Sequence, residues 1–300
     1  MISSNDSEIP YSPLLRSNMI FSHEDFHLEL LERSPQKPYP LHSHDFYELV
    51  IVTSGSGVHF TEHAEYQILP GDVFVLEAGY SHGYSKTEEL YLYNIIFDRA
   101  ILDQTLFDLS KMPGYHAIFN IEPKYRESHE FSSRLRLPSK ELTQITERVE
   151  LLKKELGHRG EGYGSRALAL AYFIEIIVSL SRIYSQITLP DSQVINRLAA
   201  AFSFIENNST RTIRIEELIE LTYMSHSTLN RAFKKAAGCS PVEYQLQLKV
   251  KKACSLLITT NQSITMIAER VGFSDSNYLS RQFKKVMHMS PREYRKTHST

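Results

Sequence analysis

Cysteine occurs only twice in 300 residues, and Cys239 and Cys254 stand at no metal-ligand spacing. That excludes a disulfide scaffold and a cysteine-based zinc site. It fits a reduced cytosol and leaves both thiols as small core residues. Long apolar runs are absent as well. The most apolar stretch, ALALAYFIEIIVSLS over 167–181, is interrupted by Glu175. It is short for a bilayer and reads as a buried helix. The opening MISSNDSEIP has neither the basic start nor the apolar core of a signal peptide. A cytoplasmic protein with no membrane partner is therefore expected.

The chain also lacks a strong net charge, at −2, but the balance is uneven. Residues 191–300 hold 16 Lys and Arg against 9 Asp and Glu, while the remaining 190 hold 17 against 26. A basic C-terminal part on an acidic N-terminal part points to a nucleic-acid partner at one end. Three hundred residues exceed what one small core needs, so two domains are expected.

The C-terminal third repeats itself. FKKAAGCSPVEY (Phe233 to Tyr244) returns as FKKVMHMSPREY (Phe283 to Tyr294), fifty residues later. LNRAFKK and LSRQFKK extend the match, so Leu229 and Arg231 correspond to Leu279 and Arg281. Each copy reads as two short helices joined by a tight turn, the helix-turn-helix plan. In the second copy Ile264, Ile267, Ala268 and Val271 share one helical face, Gly272 permits the turn, and Asp275 or Ser276 caps the next helix. The first copy places Ile215, Leu218 and Ile219 before a turn at Tyr223 that is one residue shorter. In both, Ser-Pro opens a further helix with proline at its first position. The one from Pro241 to about Thr259 would join the copies rigidly.

The second helix of each copy suits DNA. Ser227, Asn230 and Arg231 in one copy, and Ser276, Asn277, Ser280 and Arg281 in the other, are polar groups able to reach base edges. Arginine offers two donors to guanine, and asparagine pairs likewise with adenine. Lys234 and Lys235, and Lys284 and Lys285, follow one turn later, where they reach phosphates. One such helix could be a merely wet amphipathic face; two at fixed spacing on a basic segment favour double-stranded DNA.

The stretch IAERVGFSDSNYLSRQFKKVMHMSPREYR, within a region of about a hundred residues from Val194, resembles the DNA-binding domain of the AraC/XylS family of bacterial transcription regulators. The resemblance implies two helix-turn-helix units in successive major grooves, about one helical turn (~34 Å) apart. Thr222 and Tyr223 depart from the family pattern at the first turn. His288 stands where many members have glycine, so the end of that helix is expected to differ.

Between 137 and 186 a helix pair is expected. Leu142, Ile145, Val149, Leu152 and Leu156 form a stripe spaced by three and four residues. After the break GHRGEGYG (157–164), the run from Ser165 to Ser185 is apolar nearly all round, with burial on more than one side. In the resembled family such a pair dimerises, so a homodimer is expected. Residues 187–193 are read as the linker to a DNA-binding domain over 194–300.

Residues 1–136 change character to short β-rich runs between Pro and Gly turns, the pattern of an antiparallel sandwich or small barrel. Here PLHSHDFYE places His42, His44 and Glu48 close together. The motif resembles the first cupin motif, and Gly71, Gly79 and His82 match part of the second. Gln36, Glu77 and Lys86 depart from it. The resemblance carries over four ligand positions: His42, His44, Glu48 and His82. Three imidazoles and a carboxylate suit a divalent Fe, Mn, Ni, Cu or Zn ion. The reading placed first is an effector pocket lined by these residues, with no cofactor required. The run HSHDFYELVIVTSGSGVHF looks most like the sugar-sensing members of the family, the rhamnose-operon activators above all.

The fold class is thus α+β in two domains: a cupin-like β-barrel with a helix pair, then an all-α domain with two helix-turn-helix units. The function expected is a sugar-responsive, DNA-binding activator that is not an enzyme and meets RNA polymerase at its promoters. Two other readings stand beside it. One is a metal-dependent cupin enzyme fused to a DNA-binding tail; the other is a constitutive regulator with a purely structural barrel.

Overall fold

A computed structural model describes residues 14–102, 108–127, 135–157, 163–186 and 193–298. The opening MISSNDSEIP, most of the 157–164 break and nearly all of the 187–193 linker lie outside the described residues. The chain forms two compact units, Met1–Phe107 with Tyr125–Ile183, and Asp108–Lys124 with Tyr184–Thr300.

The first unit is a mainly antiparallel β-domain with two long helices; its one parallel pair among the described residues joins Leu14–Leu15 to Ser43 and His44. Its strands are β1 (Leu14–Leu15), β2 (Leu28–Arg33), β3 (Tyr39–His44), β4 (Tyr47–Thr61), β5 (Glu65–Ile68), β6 (Asp72–Leu76), β7 (His82–Phe97) and β8 (Leu135–Arg136), with a one-turn helix α1 (Ser17–Ile20). The sheet order is β1-β3-β7-β4-β6-β8, with β2 on β7 and β5 on β4. The long strands β4 and β7 pair along nearly their whole length, with irregularities between Val52 and Val58. Such bulges bend a strand and strengthen its twist. Gly55, at φ +73°, sits in that region, and a Cβ there would lie 1.8 Å from the Glu89 carbonyl oxygen.

Strand alternation sends β4 side chains two ways. Val50 and Val52 pack inside with Ile68, Phe74, Leu76, Tyr84, Leu90 and Leu92. Leu49 and Ile51 point to the other face and are fully buried too. Burial on both faces explains why LVIV (49–52) is a continuous apolar run rather than an alternating one.

Helices α4 (Ser139–Gly157) and α5 (Ser165–Tyr184) belong to this unit. Phe173 of α5 lies 5.0 Å from Phe97, ring centre to ring centre. Ile145, Val149 and Leu152 of the expected stripe are buried, while Leu142 and Leu156 are half-buried. Two expectations for α5 need correction. The helix has 20 residues and is long and apolar enough to cross a membrane by length and composition, so the run is not too short. Its burial also follows one face rather than more than one side: Ala169, Phe173, Ile176, Ile177 and Leu180 are buried, but Leu168 is 47 % exposed.

The second unit is helical: α6 (Gln193–Asn207), α7 (Ile215–Thr222), α8 (His226–Ala237), α9 (Pro241–Thr259), α10 (Ile264–Val271), α11 (Ser276–Met287) and α12 (Pro291–His298). It also takes Asp108–Lys124, which the sequence reading assigns to the barrel. That segment holds α2 (Pro113–His116), a π turn over Ala117–Ile121 and the start of α3 (Glu122–Glu127). Its apolar residues Ile118, Phe119 and Ile121 are fully buried. His116 stacks on Phe202 of α6 at 5.1 Å, and Ser203 donates a hydrogen bond to the Lys111 carbonyl. An apolar run with a helical period packs on a helix, whatever its position in the chain.

Both helix-turn-helix units take the expected form. Ser225 caps α8 and Asp275 caps α11, the latter accepting from the Tyr278 amide at 2.7 Å. Ser240 and Glu243 close a capping box on α9, with Pro241 at its first position. Tyr223 takes the left-handed conformation at φ 55°, where glycine would be at ease. His288, at φ 58°, closes α11 through its amide to the Lys284 carbonyl, as Gly238 closes α8 through the Lys234 carbonyl. The helix end is thus the same in both copies despite the missing glycine. Cys254 is buried as expected, but Cys239 is only half-buried.

Gly272 is the tightest point of the second turn. Its φ is +81°, and a Cβ would lie 1.7 Å from the Thr210 carbonyl oxygen. Gly272→Ala combines left-handed strain with a backbone clash, so urea unfolding should show a loss of at least about 3 kcal/mol.

Candidate DNA interface and sensor site

The outward face of each second helix follows from its inward one. Leu229, Ala232, Phe233 and Ala236 of α8 are buried, as are Leu279 and Phe283 of α11. A helix anchored by residues three and four apart turns the intervening positions to solvent. Ser227, Arg231 and Lys234 are exposed; Asn230 and Lys235 are half-buried. On α11, Asn277, Arg281, Lys284 and Lys285 are exposed, with Ser276 and Ser280 half-buried. The two helices therefore present equivalent polar surfaces at equivalent positions. Asn230 spends one amide donor on the His226 carbonyl at 3.1 Å, and Ser280 donates to the Ser276 carbonyl at 2.7 Å.

Two residues beside these were missed in the sequence. His226 opens α8 on its exposed side, within 3.3 Å of the Asn230 amide. The Arg281 guanidinium lies 5.8 Å from the centre of the Tyr278 ring, and Tyr278 is 38 % exposed. An aromatic beside the arginine was visible in NYLSR, but its cation–π contact was not.

The two helices are tied through α9. Val250, Ala253, Cys254 and Leu257 pack against Ile267, Val271, Leu279 and Phe283 of the second copy. Tyr244 meets Phe233 of the first copy edge to face at 5.5 Å. Lys249 reaches back from α9 to the Gly272 carbonyl at 2.6 Å, and burial pushes its ammonium pKa down.

The sensor residues converge inside the β-domain. His42 and His44 lie on β3, Glu48 on β4 and His82 on β7, with His42 opposite His82 in the ladder. All four are buried, His44 completely. Donor atoms of His44, Glu48 and His82 lie within 4.8 Å of one another. Glu48 Oε2 is 3.6 Å from His44 Nε2 and 3.9 Å from His82 Nε2. His42 stands slightly apart: its Nδ1 is 3.1 Å from the Pro40 carbonyl, while its ring centre is 4.3 Å from that of His82. The structure thus groups three of the four named residues and puts the fourth beside them.

Burial sets their charge. Desolvation lowers the His44 pKa to about 4, with that of His82 well below its ordinary value, and raises Glu48 to about 7. The imidazoles are neutral at physiological pH.

Sequence reading missed His59, which is fully buried with its ring centre 5.4 Å from those of both His82 and Tyr84. Arg126, also buried, stacks over Phe74 at 4.7 Å. VHF offers no motif, and Arg126 lies far along the chain; strand pairing brings in His59, and helix α3 carries Arg126 onto the Phe74 ring. A separate open groove of about 580 Å³ runs between Thr53 and the Leu142–Leu151 side of α4.

Two helix-turn-helix units with exposed basic helices, joined to a β-domain with a polar interior, define a ligand-sensing DNA-binding regulator. Family models and sequence relatives agree. Residues 218–297 match the helix-turn-helix domain model and residues 26–159 the AraC-like ligand binding domain. The chain is 28 % identical over 281 residues to the HTH-type transcriptional activator RhaR of Mannheimia succiniciproducens, covering 94 % of this chain and 96 % of the relative. It is 30 % identical over 264 residues to the HTH-type transcriptional activator RhaS of Enterobacter sp. strain 638, covering 88 % and 90 %. Among solved structures it is similar to the C-terminal domain of the response regulator yesN of Fusobacterium nucleatum, at 36 % identity over 32 % of this chain and 93 % of that one, with a TM-score of 0.30. The chain belongs to the AraC family of transcription regulators. That membership sets aside the reading of a cupin enzyme with a DNA-binding tail.

Asp275 is the sole side-chain cap of α11, the helix whose N-terminal turn carries Asn277 and Ser276. Asp275→Ala should lower stability by about 1 kcal/mol in chemical denaturation.

Proposed function

We propose that this protein is a sugar-responsive transcription activator that reads two adjacent major-groove segments. The observation that carries the DNA half is the duplicated surface: Ser227, Asn230 and Arg231 on α8, and Ser276, Asn277, Ser280 and Arg281 on α11, on helices locked to one connecting helix. In this reading the arginines and asparagines contact base edges. Lys234, Lys235, Lys284 and Lys285 contact phosphates. The sugar half is supported by the polar β-domain interior around His42, His44, Glu48 and His82 and by the likeness to transcriptional activators RhaR and RhaS. Effector binding must favour the DNA-competent arrangement over the incompetent one for regulation to follow.

The protein acts in the bacterial cytoplasm, where it meets DNA and RNA polymerase. It works as a dimer through α4 and α5. Support for that pairing comes from apolar side chains left open on both helices, Leu151 at 43 % and Leu168 at 47 % exposure.

Genomic fragments captured by the protein with and without candidate sugars would name the operator and the effector together. Capture of one promoter region, strengthened by one sugar, is the expected result. Capture that no sugar changes favours the constitutive reading. Arg231→Ala and Arg281→Ala should each weaken operator binding by about 1–3 kcal/mol and relax base preference. Lys284→Ala should weaken binding to all DNA and reduce the salt slope by about one. Gel shifts in which both arginine variants bind like the parent chain contradict the assignment.

A further inference from the structure

We propose that His44, Glu48 and His82 hold one divalent transition-metal ion inside the β-domain, with His42 orienting the site from outside it. The proposal stands on the geometry of these residues and not on the sugar reading.

Three observations carry it. The first is the orphaned polar atoms. His44 Nε2, Glu48 Oε1 and both ring nitrogens of His82 are buried with no hydrogen-bond partner. Native proteins rarely leave such groups unsatisfied, and each one specifically left so asks for a missing partner such as an ion. The three residues are close enough to share a partner, with one ligand atom from each within 4.8 Å of the others.

The second is the spacing. Metal–nitrogen and metal–oxygen bonds of about 2.0–2.2 Å place two donors on one ion roughly 3–3.6 Å apart. The Glu48 contacts to His44 and His82, at 3.6 and 3.9 Å, are too long for hydrogen bonds and need only a few tenths of an ångström of closure.

The third is the set of partners behind the donors. His44 donates through Nδ1 to the Phe46 carbonyl at 2.7 Å. That bond fixes the tautomer and leaves the Nε2 lone pair facing the cluster. Ligating histidines typically donate their other N–H to such an outer partner. His42 makes a like bond, Nδ1 to the Pro40 carbonyl at 3.1 Å, but it is not among the donors that lie within 4.8 Å of one another. It packs beside His82, ring centre to ring centre at 4.3 Å, rather than ligating.

Two neutral imidazoles and one carboxylate suit iron(II), manganese, zinc or cobalt, with the remaining positions open to water or an oxygen ligand. The carboxylate would also gain the countercharge its buried position lacks. Because the donors come from β3, β4 and β7, the ion would cross-link three strands of the sensor.

The test uses the full, tag-free chain, stripped with chelator and reloaded separately with zinc, manganese, cobalt or, anaerobically, iron(II). The expected result is about one ion per chain by elemental analysis, with a raised melting temperature, since an ion that binds only the folded state stabilises it. Cobalt should add visible absorption bands. Glu48→Gln, which keeps shape and removes the charge, should melt cooperatively and lose the ion and the bands. His44→Ala should lose both as well. His42→Ala should keep the ion with roughly 10–100-fold weaker affinity. Less than a tenth of an equivalent with all four metals overturns the proposal. So does full occupancy in Glu48→Gln and His44→Ala, which would put the ion elsewhere.

Discussion

The helical unit depends on one element, the connecting helix α9. Nineteen residues span about 28 Å, and both ends are committed. Its first turn is pinned by the Ser240–Glu243 box and by Tyr244 against the first copy. Its last turns supply Val250, Ala253 and Leu257 to the core of the second. Gln245 and Lys249 hold the backbone of the flanking loops, at Arg211 and Gly272. Two short helix-turn-helix units, each too small to bury a core alone, become one body. The proposed reading of two DNA segments at a set separation rests on that rigidity.

The β-domain obeys a different constraint. Pairing β4 with β7 along their length buries both faces of the sheet, and the interior face must then accept Glu48, His59 and His82 among valines and leucines. Polar groups in such a place need partners. Their collection at one point, contributed by strands that are distant in sequence, marks the part of the domain where something other than packing has been selected. That is where an effector or an ion would meet the sensor.

Much of this was legible in the chain. The repeat was visible because the same anchors, Leu229 and Phe233 or Leu279 and Phe283, serve the same packing twice. The caps at Ser240 and Asp275 were visible because capping needs particular short side chains. Boundaries dictated by tertiary packing were not. Nothing local to Ile118 and Phe119 says that they belong to the helical unit rather than the barrel. The open face around Leu168 was hidden too, since apolarity does not reveal which side is covered. The histidine motif announced His42 and His44 as equals; only the fold separates the ring that joins Glu48 and His82 from the one that stands beside them. His59 entered the cluster through strand register alone.

The central claim is that one protomer reads DNA with two helices held at a fixed separation. The direct measurement is the affinity of the protein for its captured operator, compared with the same operator carrying an insertion of about half a helical turn (roughly 5 base pairs) between the two contacted segments. A rigid reader loses one set of base contacts, so binding should fall at least about a hundredfold, as loss of several base contacts at about 1–3 kcal/mol each would require. Equal affinity for the two DNAs would contradict the account.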